Sequence, residues 1–178
     1  MEKISLWPTD IYEFKNETID NNKIKELILQ KEKENEFNKN SLLLLTEDCF
    51  SEIKNFLFEC LLSIKNEIYT DDVKFRITES WANVRGNGDY SPNHIHPNSH
   101  WSCAYYVTET YEAPIFFIDP RTRAQMFMPA NKYLGAVGPE KKQPGDVIFF
   151  PSWLEHGVKK ISTDNIRICI SCNFLIEG

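Results

Sequence analysis

The sequence predicts a mainly β fold, a β-sandwich or jelly roll with N-terminal helices packed on one face. Helical periodicity is confined to the first 72 residues. From residue 73 onward, short runs rich in β-branched and aromatic residues alternate with Pro, Gly, Asn and Asp. The chain of 178 residues is long enough for one domain with a substantial core. We therefore expect a single domain, 1–178, with a helical part (1–72) and a β-barrel part (73–178).

Two helices are expected in the first part. The segment "NNKIKELILQKEKEN" places Ile24, Leu27 and Ile28 on one face, with lysines and glutamates on the other. The segment "SEIKNFLFECLLSIKNEIY" repeats apolar residues at helical spacing more strongly. Either Asp48 or Ser51 is expected to cap this second helix, since both side chains can accept hydrogen bonds from free backbone N–H groups.

Seven short strands are expected in the second part. Each is a β-branched or aromatic run bounded by turn residues, and no repeat, low-complexity tract or linker interrupts the series. Many short strands after two helices are typical of a sandwich or jelly roll. The expected strands are 73–84, 101–108, 114–118, 125–128, 133–138, 146–150 and 166–175.

The composition argues against nucleic acid or a membrane as a partner and indicates a reducing compartment. The net charge of −6 argues against nucleic acid as the main partner, because such proteins usually carry a basic surplus. No apolar run approaches the length of a membrane span, and the first residues lack the pattern of a signal peptide. The five cysteines form no CxxC pair and are interpreted as free thiols. We expect a soluble cytoplasmic protein with no membrane partner.

Three of the four histidines lie in "NHIHPNSH". Side chains at positions i and i+2 of a strand face the same way, so His94 and His96 can point into one cavity. His156 follows the apolar strand of "PGDVIFFP" and supplies a third ligand if that strand lies beside the first. Three ligands with open positions suit a catalytic metal. The alternative is a solvated histidine loop.

His100 stands apart from these three candidate ligands. It lies four residues after His96, a helical spacing that Pro97 disfavours. We expect His100 to support the ligands or to face the substrate.

The late strand in "NIRICISCNF" carries a polar face. Arg167, Cys169, Ser171 and Asn173 alternate with an apolar set. A guanidinium matches a carboxylate as a planar fork, and Ser171 adds a hydroxyl donor. Together with a metal, this face suits a dicarboxylate such as 2-oxoglutarate, with one end on the metal and its 5-carboxylate on Arg167. The alternative is a solvent-facing strand surface.

At these motifs the chain resembles the iron(II)- and 2-oxoglutarate-dependent oxygenases, and most closely a branch of small, poorly characterised bacterial and phage members. The similarity is carried by "SLWPTDIY", "HIHPNSHWSCAYYV", "FFIDPR", "PGDVIFFPSWLEHGV" and "RICISCN". It implies a double-stranded β-helix, a cupin-like jelly roll, that binds Fe(II), 2-oxoglutarate and O2. It also implies hydroxylation of a substrate with succinate and CO2 as co-products, in a bacterial cytoplasm or, for a phage-encoded protein, that of the host.

The resemblance implies roles for further residues. Trp81 and Asn83 share one face of the strand that would line the site, and Asn83 would contact 2-oxoglutarate. Tyr106 would donate its hydroxyl to the same co-substrate. Trp81, His100 and Asn173 would support the ligands or face the substrate, whose nature, small molecule or protein, the sequence does not specify. The barrel edge and the N-terminal helices could support a homodimer.

One position departs from the wider superfamily, which uses His-x-Asp or His-x-Glu. Here the second ligand is His96, a pattern that the resemblance to the closer branch implies. Because a third neutral ligand leaves the site one negative charge short, a carboxylate from Asp89, Asp119 or Glu155 could still join the metal. A second possibility is a cupin dioxygenase that binds its metal through three histidines and uses no 2-oxoglutarate. Arg167 favours the 2-oxoglutarate-dependent oxygenase instead. A non-catalytic, metal-stabilised structural module is the third possibility.

Overall fold

The computed structural model describes residues 8–34, 43–110, 113–121, 126, 136–138 and 141–177. These residues form two antiparallel sheets and two α-helices, preceded or joined by short 3-10 turns. The helices are α1 (Asn21–Lys33) and α2 (Ser51–Ile68). The strands are β1 (Tyr12–Lys15), β2 (Lys74–Arg85), β3 (Ser91–His94), β4 (Trp101–Tyr106), β5 (Ile115–Ile118), β6 (Ala136–Val137), β7 (Asp146–Pro151), β8 (His156–Val158) and β9 (Arg167–Glu177).

The two sheets have the strand order of a jelly roll. The larger sheet runs β1-β7-β4-β9-β2 and the smaller runs β3-β8-β5-β6. Chain neighbours such as β2 and β3 fall in different sheets, so the chain crosses repeatedly between the two layers. The prediction of a mainly β jelly roll with N-terminal helices on one face is confirmed.

The strand alternation divides the core into two layers. In β4, Trp101, Cys103 and Tyr105 pack in one cluster with the buried faces of α1 and α2. The intervening Ala104 and Tyr106 pack in a second cluster that includes β5 and β7. One face of the larger sheet is therefore covered by helices, and the other faces the smaller sheet across the interior that holds the site.

A side chain caps the N-terminus of α1 but not that of α2. Asp20 caps α1, since its Oδ1 accepts hydrogen bonds from the backbone N–H groups of Asn22 and Lys23. The expectation that Asp48 or Ser51 caps α2 is wrong. A 3-10 turn over Asp48–Phe50 runs directly into α2, so Phe50 precedes the helix and no side chain caps it.

The N-terminal part is not purely helical. Strand β1 pairs with β7 along the edge of the larger sheet, from Tyr12 opposite Phe149 to Lys15 opposite Asp146. The expected strand 125–128 lies outside the described residues except for Met126, and 133–138 is described only at 136–138, where β6 lies. Among the described residues, no helix is both long and apolar enough to cross a bilayer.

Candidate metal centre

The smaller sheet brings two of the candidate ligands together. Strands β3 and β8 pair antiparallel, with His94 directly opposite His156. His96 lies two residues beyond the end of β3, and its backbone N–H donates to the carbonyl of Ser152 at 2.9 Å. The three histidines offer ligand atoms that all lie within 4.8 Å of one another. This cluster is the candidate metal centre.

Hydrogen bonds orient two of the rings. The Nδ1 atom of His94 lies 2.8 Å from the carbonyl oxygen of Pro92, and that of His156 lies 2.9 Å from the carbonyl oxygen of Leu154. A carbonyl only accepts, so Nδ1 carries the proton in both rings and Nε2 keeps its lone pair. Such bonds from the second ring nitrogen are typical of histidines that bind metals.

The spacing of the Nε2 atoms suits one metal ion. The Nε2 atoms of His96 and His156 lie 3.2 Å apart. Two ligands at about 2.1 Å from a metal and at right angles to each other would be separated by about 3.0 Å. The donor set is therefore compatible with a shared divalent ion.

The local electrostatics favour neutral ligands. Burial, together with the neighbouring His156 and His94, lowers the pKa of His96 to about 4. Burial also lowers the pKa of His156 to about 4, although its hydrogen bond to Leu154 opposes the shift. Both imidazoles are thus deprotonated near pH 7, as metal ligation requires.

No carboxylate joins the cluster in the part of the chain that the structure describes. Asp89 accepts a hydrogen bond from the backbone N–H of Gly86, and Asp119 pairs with Arg121 at 2.9 Å. Glu155 is exposed on the surface. The ligand set is therefore three neutral imidazoles, and the carboxylate alternative raised by the sequence has no support here.

The histidines open onto a cavity of about 310 Å³ between the two sheets. Trp81, Asn83 and Ser171 line it, as the sequence predicts, with the Trp81 and His96 ring centroids 5.6 Å apart. The Nδ2 atom of Asn83 donates to Oγ of Ser171 at 3.0 Å across the β2–β9 ladder. Asn83 and Ser171 thus begin a polar strip along the inner face of the larger sheet, and the end of this strip at Ser171 lies beside the histidines.

At the other end of this strip lies a buried cation. Arg167 lines the cavity and is only 2% exposed, with Nη1 donating to Sγ of Cys169 at 3.5 Å. Its Nε has no hydrogen-bond partner among the described residues, and no described carboxylate forms an ion pair with it. A buried guanidinium without a counter-charge is costly, so this end of the cavity is suited to an anion.

Tyr106 lies beneath Arg167 rather than on the cavity wall. The guanidinium carbon of Arg167 is 5.5 Å from the centroid of the tyrosine ring. The Tyr106 hydroxyl is buried and has no described hydrogen-bond partner, and burial raises the pKa of this phenol, against the lowering effect of Arg167. The Nε of Arg167 is thus left without an acceptor among the described residues, and a carboxylate in the cavity is a ligand that can satisfy it.

His100 and Asn173 do not line the cavity. His100 is exposed, and its Nδ1 accepts from the backbone N–H of Ile176 at 2.9 Å. The chain turns away before it, with Asn98 in the left-handed region at φ 65°. Of the two roles expected for His100, to support the ligands or to face the substrate, its position outside the cavity lining does not favour the second.

Asn173 belongs to a buried network behind the ligands. Its Nδ2 donates to Glu79 at 2.9 Å, and its Oδ1 accepts from Ser102 at 2.8 Å. Ser102 in turn contacts the hydroxyl of Ser152 at 2.8 Å, and the Ser152 carbonyl holds the backbone of His96. Asn173 therefore supports the position of a candidate ligand and does not reach the substrate space.

Cys169 and Arg85 also line the cavity, on the inner faces of β9 and β2. Strand alternation places them on the same faces as Ser171 and Asn83, as the sequence predicts, but it assigns neither of them a contact with the co-substrate.

The fold and the cluster together define a class, a jelly-roll protein with a candidate three-histidine metal centre and a buried arginine in one cavity. The family model described as "Putative 2OG-Fe(II) oxygenase" matches residues 79–173, more than half of the chain. The protein belongs to this family. The matched segment contains all three histidines and Arg167.

Solved structures agree on the fold. HygX from Streptomyces hygroscopicus, with nickel and 2-oxoglutarate bound, superposes with a TM-score of 0.64 at 11% identity, covering 93% of this chain and 81% of that one. A Pseudomonas putida prolyl-4-hydroxylase superposes with a TM-score of 0.63 at 11% identity, covering 96% and 89%. At such identities the likeness shows a shared fold alone. A comparison with curated proteins gives no significant match.

Proposed function

We propose that the protein is an Fe(II)- and 2-oxoglutarate-dependent dioxygenase that hydroxylates a C–H bond of its substrate. The balanced reaction consumes the substrate, O2 and 2-oxoglutarate, and forms the hydroxylated product, succinate and CO2. The observation that carries this proposal is the buried guanidinium of Arg167, which has no ion pair among the described residues and shares a cavity with three convergent histidines.

The three histidines would hold the iron through Nε2. When bound, iron(II) supplies the activation of O2 that the oxidation requires. Three protein ligands leave further positions for a co-substrate and O2, as in catalytic rather than structural metal sites. HygX, with the same fold, has been solved with nickel and 2-oxoglutarate bound, which supports the view that this architecture can hold both.

The polar strip would hold the co-substrate. Along β9, Ser171 lies opposite Trp81 beside His96, and Arg167 lies four residues away, about 13 Å along the strand. A dicarboxylate can therefore direct its keto-acid end to the histidines and its 5-carboxylate to the long side chain of Arg167. The Arg167 fork would donate to that carboxylate, Tyr106 would support the guanidinium from beneath, and the Asn83–Ser171 pair would lie alongside the chain.

The two alternative functions are less well supported. A cupin-type dioxygenase that uses no 2-oxoglutarate leaves the buried charge of Arg167 without a role. A structural metal module would close its coordination shell with a fourth protein ligand, whereas the described residues offer three and these face a cavity.

Titration of 2-oxoglutarate into the Ni(II)-loaded protein tests the proposal. In Arg167→Lys the charge remains but the planar fork is lost, so we expect the Kd for 2-oxoglutarate to rise by about tenfold or more. The matched control is Arg76→Lys, since Arg76 is exposed and pairs with Glu177 away from the cavity. Wild-type protein that fails to bind 2-oxoglutarate, or an Arg167→Lys variant that binds it equally well, would refute the assignment.

A further inference from the structure

A second arginine faces the cavity at the same level as Arg167. Arg85 lines the cavity, and it is the direct partner of Arg167 in the antiparallel β2–β9 ladder. Directly opposite residues of an antiparallel pair project from the same face of the sheet. Like charges placed opposite each other destabilise such a ladder unless the side chains diverge or each has its own counter-charge.

The two guanidinium groups lie on different sides of β9. Arg167 extends over Tyr106 on β4, and Nη1 of Arg85 donates to the carbonyl of Tyr90 at 3.0 Å, in the connection between β2 and β3. Because β9 lies between β4 and β2, the two charges are directed apart. Arg167 is buried and Arg85 is half-buried, so the cavity has an inner cationic site and an outer one at its rim.

No described acidic residue neutralises the outer site. The cavity lining contains neither aspartate nor glutamate, and Arg85 has no ion pair among the described residues. Asp89 and Asp164 of the adjacent loops form no ion pair with Arg85; each accepts a hydrogen bond from a neutral donor, Asp89 from the Gly86 N–H and Asp164 from the Asn87 amide.

With metal and 2-oxoglutarate bound, the cavity would carry a net positive charge. Two arginines and a divalent metal bound by three neutral imidazoles carry four positive charges, and dianionic 2-oxoglutarate removes two of them. The remaining surplus lies in a cleft with low-dielectric walls, where charge acts most strongly on a ligand. The surplus is local, since the whole chain has a net charge of −6.

We propose that the substrate carries an oxyanion, a carboxylate or a phosphate, and that Arg85 binds this group at the rim of the cavity. The C–H bond to be hydroxylated would then lie inward, toward the histidines. This inference rests on the proposed function for its chemistry. It differs from a two-arginine clamp on 2-oxoglutarate, in which Arg85 would contribute to binding of the co-substrate.

The test uses full-length protein loaded with Ni(II) and saturated with 2-oxoglutarate, at constant ionic strength. Inorganic phosphate and acetate are titrated separately, because they represent the two oxyanion chemistries. We expect wild-type protein to bind at least one of them, and Arg85→Gln to weaken that binding by about tenfold or more with an unchanged Kd for 2-oxoglutarate. The phosphate and acetate arms show which oxyanion is preferred.

The matched control is Arg76→Gln, an exposed arginine of the same strand that lies outside the cavity and should bind the anions as wild type does. Equal anion binding by wild type and Arg85→Gln would overturn the proposal. So would a loss of 2-oxoglutarate affinity in Arg85→Gln, which would assign Arg85 to the co-substrate clamp. Failure of wild-type protein to bind 2-oxoglutarate at the outset would instead refute the proposed function.

Discussion

At the scale of single residues, the four histidines separate into three that share a cavity and one that does not. His94, His96 and His156 converge because β3 pairs with β8 and Ser152 holds the backbone of His96. His100 accepts a backbone hydrogen bond from the end of β9 and faces away. Metal affinity should therefore depend on three of the four rings.

Alanine substitutions test this division. His94→Ala, His96→Ala and His156→Ala should each weaken Ni(II) or Co(II) binding by about tenfold or more, since each removes a ligand. His100→Ala should leave the metal affinity unchanged and lower stability slightly, because the Ile176 N–H loses its acceptor. Competition with a chromophoric chelator measures all four variants. A metal affinity that survives loss of His156, or falls with loss of His100, would contradict the assignment.

Strand alternation predicted the convergence of His94 and His96 by a mechanism that differs from the one in the structure. Their ring centroids lie 5.0 Å apart, but β3 ends at His94, and the hydrogen bond from the His96 N–H to the Ser152 carbonyl holds His96 beyond the strand. The place of Tyr106 was harder to predict, because the sequence cannot show that Arg167 covers its ring.

Strand alternation on β9 predicts that Asn173 faces the site. In the structure Ser102 of β4 pairs with Asn173 and hydrogen-bonds its side chain, so Asn173 does not line the cavity.

At the scale of elements, the sequence reveals long elements and the short strand β5, whose run of apolar and aromatic residues is itself a strand signal. Strands β2, β4, β7 and β9 and both helices have enough residues to show a period, and their predicted bounds lie within about two residues of those in the structure. Strands β1, β3 and β8 have four residues or fewer and are defined by their partners. Their pairing is tertiary information that a local pattern does not contain.

The turn that leads into β7 depends on a glycine. Gly145 has φ of +90°, and a Cβ added there would lie 2.1 Å from the carbonyl oxygen of Asn16. Gly145→Ala should therefore lower the free energy of unfolding by about 2 kcal/mol or more, through backbone strain and a clash with backbone that cannot easily move. Gly86→Ala is the matched control, because nothing lies within 4 Å of its added Cβ. Urea unfolding with equal losses in both variants would show that this turn has no special requirement.

At the scale of the whole molecule, the metal centre makes stability depend on pH. In the metal-free protein, His96 and His156 have pKa values of about 4, against an ordinary value of 6.5. Between these values the unfolded chain binds more protons than the folded one, so the free energy of unfolding rises with pH. We expect this contribution to be complete above about pH 6.5 and to be lost progressively toward about pH 4.

Denaturant unfolding of the metal-free protein across this range measures the effect. His156→Gln keeps a polar side chain that does not titrate, and should reduce the slope of stability against pH. A slope that is identical in wild type and His156→Gln would contradict the prediction, because it would assign the pH dependence to other groups.

The central claim is that one cavity holds iron on three histidines and 2-oxoglutarate between that iron and Arg167. The most direct test is the visible absorption spectrum of the pure protein mixed anaerobically with Fe(II) and 2-oxoglutarate. We predict a weak charge-transfer band that requires both additions and is absent in His94→Ala. The absence of any such band from wild-type protein at saturating Fe(II) and 2-oxoglutarate would contradict the account.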